Sequence, residues 1–298
     1  MEGPFTAARL PLESQLDQTP QDATWLMPLM LLFLVKQLLL VAIIGPFTGH
    51  DEVDHFYYIQ RLAAGEGLGV VGEVMLSEET KPYRKYVADY PNNAEVIQPP
   101  LYHALLAPIS LLVPRGVETD LYALRLISVV IGLAAVWLAY LIARLVFPGA
   151  PLLRAGVPVF VAFQPQFSFE AAIVNHDILV IALFSLALYL TLKGLREGFS
   201  PRRELVLGLV VTAGLWTKTS VGLVLPVVAL GVWLGWRDRR CSWGDRVAAW
   251  HWLAGSLFLT VVLPLLLVTP WFIRSFVLYG DPTGSRRLQE IPEYGDQA

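Results

Sequence analysis

Cysteine is nearly absent from this chain. Cys241 is the only one in 298 residues, which excludes an intramolecular disulfide. It lies in an Arg-rich connector, where an exposed structural residue is the simpler reading and a redox role the rarer one. Charge is scarce too. Asp, Glu, Lys and Arg make up 16% of the residues and nearly balance, at a net −3, so the basic footprint of a nucleic-acid-binding protein is missing. No internal repeat and no low-complexity tract occurs. The first stretch, about 20 residues, is polar and acidic, unlike the basic head and short apolar core of a cleaved signal peptide. The first apolar segment is therefore expected to be retained.

Hydrophobic sequence is what the chain has in abundance: 55% of residues, with a mean hydropathy of +0.54. That is too apolar for an ordinary soluble domain, and the expected class is an all-α polytopic membrane protein. A crossing helix needs about 20 mostly apolar residues. Seven segments are candidates: Trp25 to Ile44, Leu121 to Phe147, Leu152 to Ala162, Ala171 to Leu192, Leu205 to Trp216, Val221 to Trp236 and Trp250 to Trp271. Those starting at Leu152, Leu205 and Val221 are short and must borrow flanking polar residues or be tilted or broken. Pro99 to Pro114 is apolar but spans only about 14 residues between prolines, the length of a re-entrant or interfacial helix.

If that stretch does not cross, the basic connectors fall on one side. They carry Arg144 and Arg154, then Lys193, Arg196, Arg202 and Arg203, then Arg237, Arg239, Arg240 and Arg246. Clustered positive charge in short loops marks that side as cytoplasmic. The organisation is then a cytoplasmic tail over residues 1–24 and a membrane module over 25–271. Its first extracytoplasmic loop covers residues 45–120, and an extracytoplasmic segment over 272–298 reads as the start of a further region. The middle of the loop, Gly67 to Val96, is polar and reads as a surface excursion. Trp25, Trp236, Trp243, Trp250, Trp252 and Trp271 sit near span ends, where indole prefers the membrane interface.

Polar chemistry gathers in three places on the loop side. In GHDEVDHFYYIQRLAAGEG, Asp51 can cap a short amphipathic helix that stops at Gly65. On that helix Asp51, Asp54, His55 and Tyr58 share one side, while Glu52 diverges. Two readings stay open: an ordinary cap with solvent-facing acids, or a site, since carboxylates beside an apolar core are costly unless they pair. In EVIQPPLYH the double proline fixes an extended approach and starts a helix, delivering Glu95, Gln98, Tyr102 and His103. FQPQFSFEAAIVNHD brings Gln164, Gln166, Glu170, Asn175, His176 and Asp177 to the same side, with a hydrogen-bonded helix cap an equal alternative for His176 and Asp177. Lys218 and Arg274 add positive charge suited to anionic phosphate.

The DE pair after the first span, QPPLY, the NHD turn, GLWTKTS and PWFIRSFVLYGDPTG together resemble the GT-C superfamily of glycosyltransferases. The likeness is to its uncharacterised bacterial membrane-protein branch and, more distantly, to protein mannosyltransferases and aminoarabinose transferases, and it runs from Trp25 to Gly284. It implies a seven-helix transmembrane module whose long first extracytoplasmic loop carries juxtamembrane helices, in a bacterial inner or plasma membrane. The implied reaction moves a sugar from a polyprenyl-phosphate donor to an extracytoplasmic acceptor by an inverting single displacement. The family's acidic residue after the first helix, catalytic base or acceptor orienter, matches Asp51, with Glu52 beside it. Its QPPLY-like element corresponds to Gln98 through Tyr102, and its second polar turn to Asn175 and Asp177, with His176 between. Its RN-x-x-x-YGDP ending matches Arg274 through Pro282, except that Ser275 stands where asparagine is usual.

On this reading Lys218 or Arg274 stabilises the phosphate, while His55, Tyr58, Glu95, Gln98, Tyr102, His103, Asn175, His176 and Asp177 shape the donor pocket. No cofactor is required. Asp51, His176 and Asp177 could ligate a divalent cation, but no spacing matches a fixed metal motif. The partners are the lipid-linked donor, membrane lipid and an extracytoplasmic acceptor, with no nucleic acid. A lipid-linked sugar transporter and a noncatalytic membrane scaffold are the rivals, and a hydrolase of lipid-linked sugars is a nearer variant.

Overall fold

The structure, a computed structural model, describes residues 19–74, 93–113, 116–242 and 246–290. Most of the expected cytoplasmic tail, the core of the polar excursion and the last eight residues of the sequence lie outside these. All regular structure among the described residues is helical. Five helices are long and apolar enough to cross a membrane: Thr24–Ile43, Val117–Val146, Asp177–Glu197, Thr219–Arg237 and Val247–Tyr279.

The first span belongs to α1 (Thr19–Ile43), followed by the short α2 (Glu52–Ala63) and α3 (Leu101–Leu112). Then come α4 (Val117–Val146), α5 (Pro151–Phe163), α6 (Pro165–Glu170), α7 (Asp177–Glu197) and α8 (Pro201–Leu215). A 3₁₀ turn, Thr219–Leu223, leads into α9 (Val224–Ser242), which continues through the Arg-rich segment expected to be a connector. The chain then runs through α10 (Arg246–Leu257), a π turn over Phe258–Val262 and α11 (Leu263–Tyr279) to the surface helix α12 (Ser285–Glu290).

Several boundaries differ from the sequence expectation. The span drawn from Ala171 begins at Asp177, because 171–176 form a turn after α6. The last span continues past Trp271 to Tyr279, where Gly280 at φ 69 ends it, a left-handed position that suits glycine. At 1.5 Å per residue, α5 is about 20 Å long against a hydrocarbon core of about 30 Å. Trp236 and Trp271, read as interfacial anchors, are instead buried in the bundle. Trp236 packs on Trp250 and Trp271 on Trp216.

Two apolar clusters meet at α7. One joins α1 to α6 through residues such as Phe33, Phe56, Leu106, Leu124 and Phe167. The other joins α7 to α11 through Leu207, Val228, Leu253 and Val268. At the second, α8 touches the π turn backbone to backbone: a Cβ added to Gly208 would lie 2.1 Å from the Leu259 carbonyl oxygen. Gly208→Ala is therefore expected to destabilise by about 1–3 kcal/mol through overpacking. Gly255→Ala, whose Cβ would meet nothing within 4 Å, is expected to leave the unfolding midpoint in detergent unchanged or slightly raised. Equal midpoints for the two variants would refute this.

The short α3 does not traverse the bundle. The N–H of Leu101 donates to the Trp216 carbonyl at the end of α8 (2.9 Å). At the far end of the same helix, the Ser110 hydroxyl donates to Asp120 at the start of α4, an acid also reached by Gln60 of α2. Both ends of α3 thus lie at one end of the bundle. Lys36, a charge inside α1, is satisfied by the Ala162 carbonyl and by the Ser168 hydroxyl at 2.6 Å.

Candidate functional site: a one-ended polar pocket

The site is built where α1 ends. The turn from Ile44 to Asp51 contains Phe47 (φ 56) and Asp51 (φ 54), the two non-glycine residues with positive φ among the described ones. Such strain persists only where surrounding structure imposes it, and it clusters at functional sites. Arg125 of α4 imposes it here. Its Nη1 donates to the Ile44 carbonyl (2.7 Å) and the Val41 carbonyl (3.3 Å), and its Nη2 to the Gly45 carbonyl (2.9 Å). It also grips Glu52 bidentately, at 2.8 and 2.7 Å.

Glu52 is fully buried, and its Oε1 also accepts the Val174 N–H at 3.0 Å. It is a clamp between α2, α4 and the turn before α7. Asp51 occupies the N-cap position of α2 but makes no capping hydrogen bond through its side chain, contrary to the capping expected. Its carboxylate is left uncommitted. Although the residue is exposed, partial desolvation and the Glu95 carboxylate push its pKa above the ordinary range, while His50, His176 and Lys218 pull the other way.

The apolar face of α2 fixes the rest. Val53, Phe56 and Ile59 are buried at helical spacing, and His55 and Tyr58 turn inward with them. Asp54 offers its backbone carbonyl to Asn93 Nδ2 at 2.9 Å. Asn93, fully buried, also receives the Glu95 N–H on Oδ1 (2.9 Å), which sets the 3₁₀ turn Glu95–Ile97. Gln98 is extended before Pro99, as the proline restriction demands, and half-buried. Tyr102 and His103 then point inward from α3, both fully buried.

Three imidazoles meet at the centre of the polar cluster. His55 Nδ1 and His103 Nε2 are 2.9 Å apart, and the His55 and His176 rings meet edge-on at 4.5 Å. Tyr58 packs on His103 at 4.3 Å. Burial, reinforced by the other imidazoles, holds His55 and His103 well below the ordinary imidazole pKa. For His176 burial opposes the charged form, but the Asp177 and Glu95 carboxylates, 3.4 and 3.3 Å away, outweigh it and raise the pKa. Burial also pushes the Tyr58 and Tyr102 hydroxyls up.

The NHD turn and the start of the 3₁₀ turn after α8 flank this cluster. Asn175 Oδ1 accepts the Asp177 N–H (2.8 Å), and its Nδ2 lies 3.0 Å from His50 Nε2. His50 also lies 3.3 Å from Glu170, whose pKa burial raises. Lys218 Nζ donates to Asp177 Oδ1 at 2.6 Å. Arg274, on α11, reaches the Gly69 carbonyl through Nη2 (2.6 Å) and leaves a buried Nη1 without a hydrogen bond. It stands on the Tyr58 side of the pocket.

The structure thus brings Asp51, His55, Tyr58, Glu95, Tyr102, His103, Asn175, His176, Asp177 and Lys218 to one end of the bundle. Sequence reasoning missed Arg125 and Asn93. Arginine inside an apolar span was itself a signal, since such a charge must find a partner; Asn93 carried none. Two groups among the described residues could hold a metal ion, His55 with His103 and His176, and His50 with Glu170 and Asp177.

Apolar spans with a cluster of carboxylates, imidazoles and a lysine at one end define a polytopic helical membrane protein with a one-ended polar site. Residues 98–268, more than half of the chain, match the family described as dolichyl-phosphate-mannose-protein mannosyltransferase, and the chain belongs to that family. No curated protein and no solved structure matches it. The matched region holds Gln98, Tyr102, His103, Asn175, His176, Asp177 and Lys218; Asp51, His55, Glu95 and Arg274 lie outside it.

Proposed function

We propose that the protein transfers a sugar from a polyprenyl-phosphate carrier to a hydroxyl acceptor on the extracytoplasmic face of a bacterial membrane. The observation that carries this reading is the uncommitted Asp51 carboxylate, held in a strained turn over a pocket that also presents Lys218. Family membership supplies the reaction class. Counting α5 and α8 with the five long helices gives seven segments, which supports the seven-helix module. The basic connectors between α4 and α5 and between α7 and α8 lie at the end opposite the pocket, which favours an extracytoplasmic site.

In this mechanism Asp51 accepts the proton of the acceptor hydroxyl as its oxygen attacks the anomeric carbon. The bond from that carbon to the phosphate oxygen breaks on the opposite face, so the configuration inverts. Lys218 and the free Nη1 of Arg274 stabilise the departing phosphate. Glu52 serves as a positioning residue, because both of its oxygens are occupied. A transporter or scaffold would use the same polar groups. A transport path, however, favours a site near the midplane between repeats, whereas these groups gather at one end.

The test presents the purified protein in lipid with a panel of radiolabelled polyprenyl-phosphate sugars, with binding followed in parallel. Transfer or release of sugar from a bound donor is expected. Binding without turnover would favour the transporter or scaffold, and neither binding nor turnover would sink the carrier reading.

A further inference from the structure

We propose that His55, His103 and His176, joined by the Glu95 carboxylate, form a binding site for a single transition-metal cation of the zinc class. The three imidazoles arrive from α2, α3 and the turn before α7, and one ligating nitrogen from each lies within 4.8 Å of the others. Zinc holds imidazole nitrogens at about 2.0–2.1 Å, which in a tetrahedral shell separates them by about 3.4 Å. His55 Nδ1 and His103 Nε2, at 2.9 Å, need only to open slightly. Glu95 Oε2 stands at the same centre, 3.3 Å from His176 Nδ1 and 3.7 Å from His55 Nδ1.

A second, independent observation is that the cluster is left incomplete. Glu95 Oε2 and His176 Nδ1 face each other at 3.3 Å, both buried, without completing a hydrogen bond. The three histidines are at most 2% exposed. Buried polar atoms that complete no hydrogen bond are rare and costly, and a cation would engage the carboxylate oxygen and one nitrogen of each ring, replacing the direct His55–His103 contact. The surroundings hold the rings in place: Tyr58 packs on His103, Tyr102 meets His55 edge-on, and Asn93 fixes the backbone of Glu95.

Ligand chemistry selects the metal. Imidazoles suit zinc, copper, nickel or iron, whereas magnesium and calcium prefer oxygen ligands. The other group, His50 with Glu170 and Asp177, is weaker on the same reasoning. Asn175 already meets His50, Gln166 donates to Glu170, and Lys218 donates to Asp177.

Metal binding is read without turnover, so this site and the transferase reading can fail separately. The whole protein, purified in lipid and stripped with a chelator, is dialysed against zinc in excess magnesium, and bound metal is measured by mass spectrometry. A single zinc per chain is expected. His103→Gln and His176→Gln should weaken binding by about 100-fold or more, since loss of outer partners alone costs 10–100-fold, and His50→Gln should retain it. Cobalt in the wild-type protein should show the intense visible bands of a four-coordinate site, a readout that needs no variant to fold. No zinc retained at micromolar free metal, six-coordinate cobalt, or loss in His50→Gln with retention in His103→Gln would each overturn the proposal.

Discussion

Asp51→Asn is expected to slow sugar transfer by about 10²–10⁴-fold, the usual contribution of a positioned general base, while donor binding and folding persist. Asparagine is the appropriate replacement on conformational grounds. Asp51 sits at φ 54 and ψ 6, and Asn tolerates the left-handed region as Asp does. The side chain caps nothing, so its loss leaves no helix donor unpaired and stability should change by less than about 0.5 kcal/mol. Wild-type activity should rise with pH, because the base acts only as the carboxylate. Partial desolvation and Glu95 raise the Asp51 pKa against the opposing pull of His50, His176 and Lys218, so the acid limb of kcat/KM should lie above the ordinary carboxylate value of about 3.9. Rates of transfer by wild type and Asp51→Asn across pH, with donor binding measured alongside, check both parts. A variant that turns over at the wild-type rate would remove Asp51 from the chemistry.

The five long spans were legible because apolar runs of membrane length leave few alternatives, and the shortness of α3 was legible from its length between prolines. Most of the polar groups were readable as gathering at one end of the bundle, because alternating helices return every second connector to it. What could not be read was how they divide the work. Asp51 and Glu52 are adjacent and chemically alike, yet one carboxylate is uncommitted and the other is fully enclosed by Arg125 and the Val174 N–H. That division depends on an arginine 73 positions away in sequence, hidden in an apolar run. The histidine cluster was similarly dispersed. His55, His103 and His176 share no local spacing, so no motif could announce that two helices and a turn would bring their rings together.

Arg125→Met is expected to be the most destabilising single change in the site, costing about 3–5 kcal/mol, the range for breaking a buried ion pair by removing one partner. Both side chains are fully buried. Methionine would leave the Glu52 carboxylate with the Val174 N–H alone, and would also release the Val41, Ile44 and Gly45 carbonyls from their donor. Glu52→Gln should cost less, about 1.5–3 kcal/mol, the range for a hydrogen bond to a charged group, because Arg125 keeps its three carbonyl acceptors. The turn carrying Asp51 should loosen in Arg125→Met, so transfer should fall further than the folded fraction does. Chemical denaturation in mild detergent of both single variants and the double variant measures the coupling. A double variant no worse than Arg125→Met would show that the two side chains act as one clamp. Additive costs, or Glu52→Gln as the more damaging single change, would mean that something other than this pair holds the turn beneath Asp51.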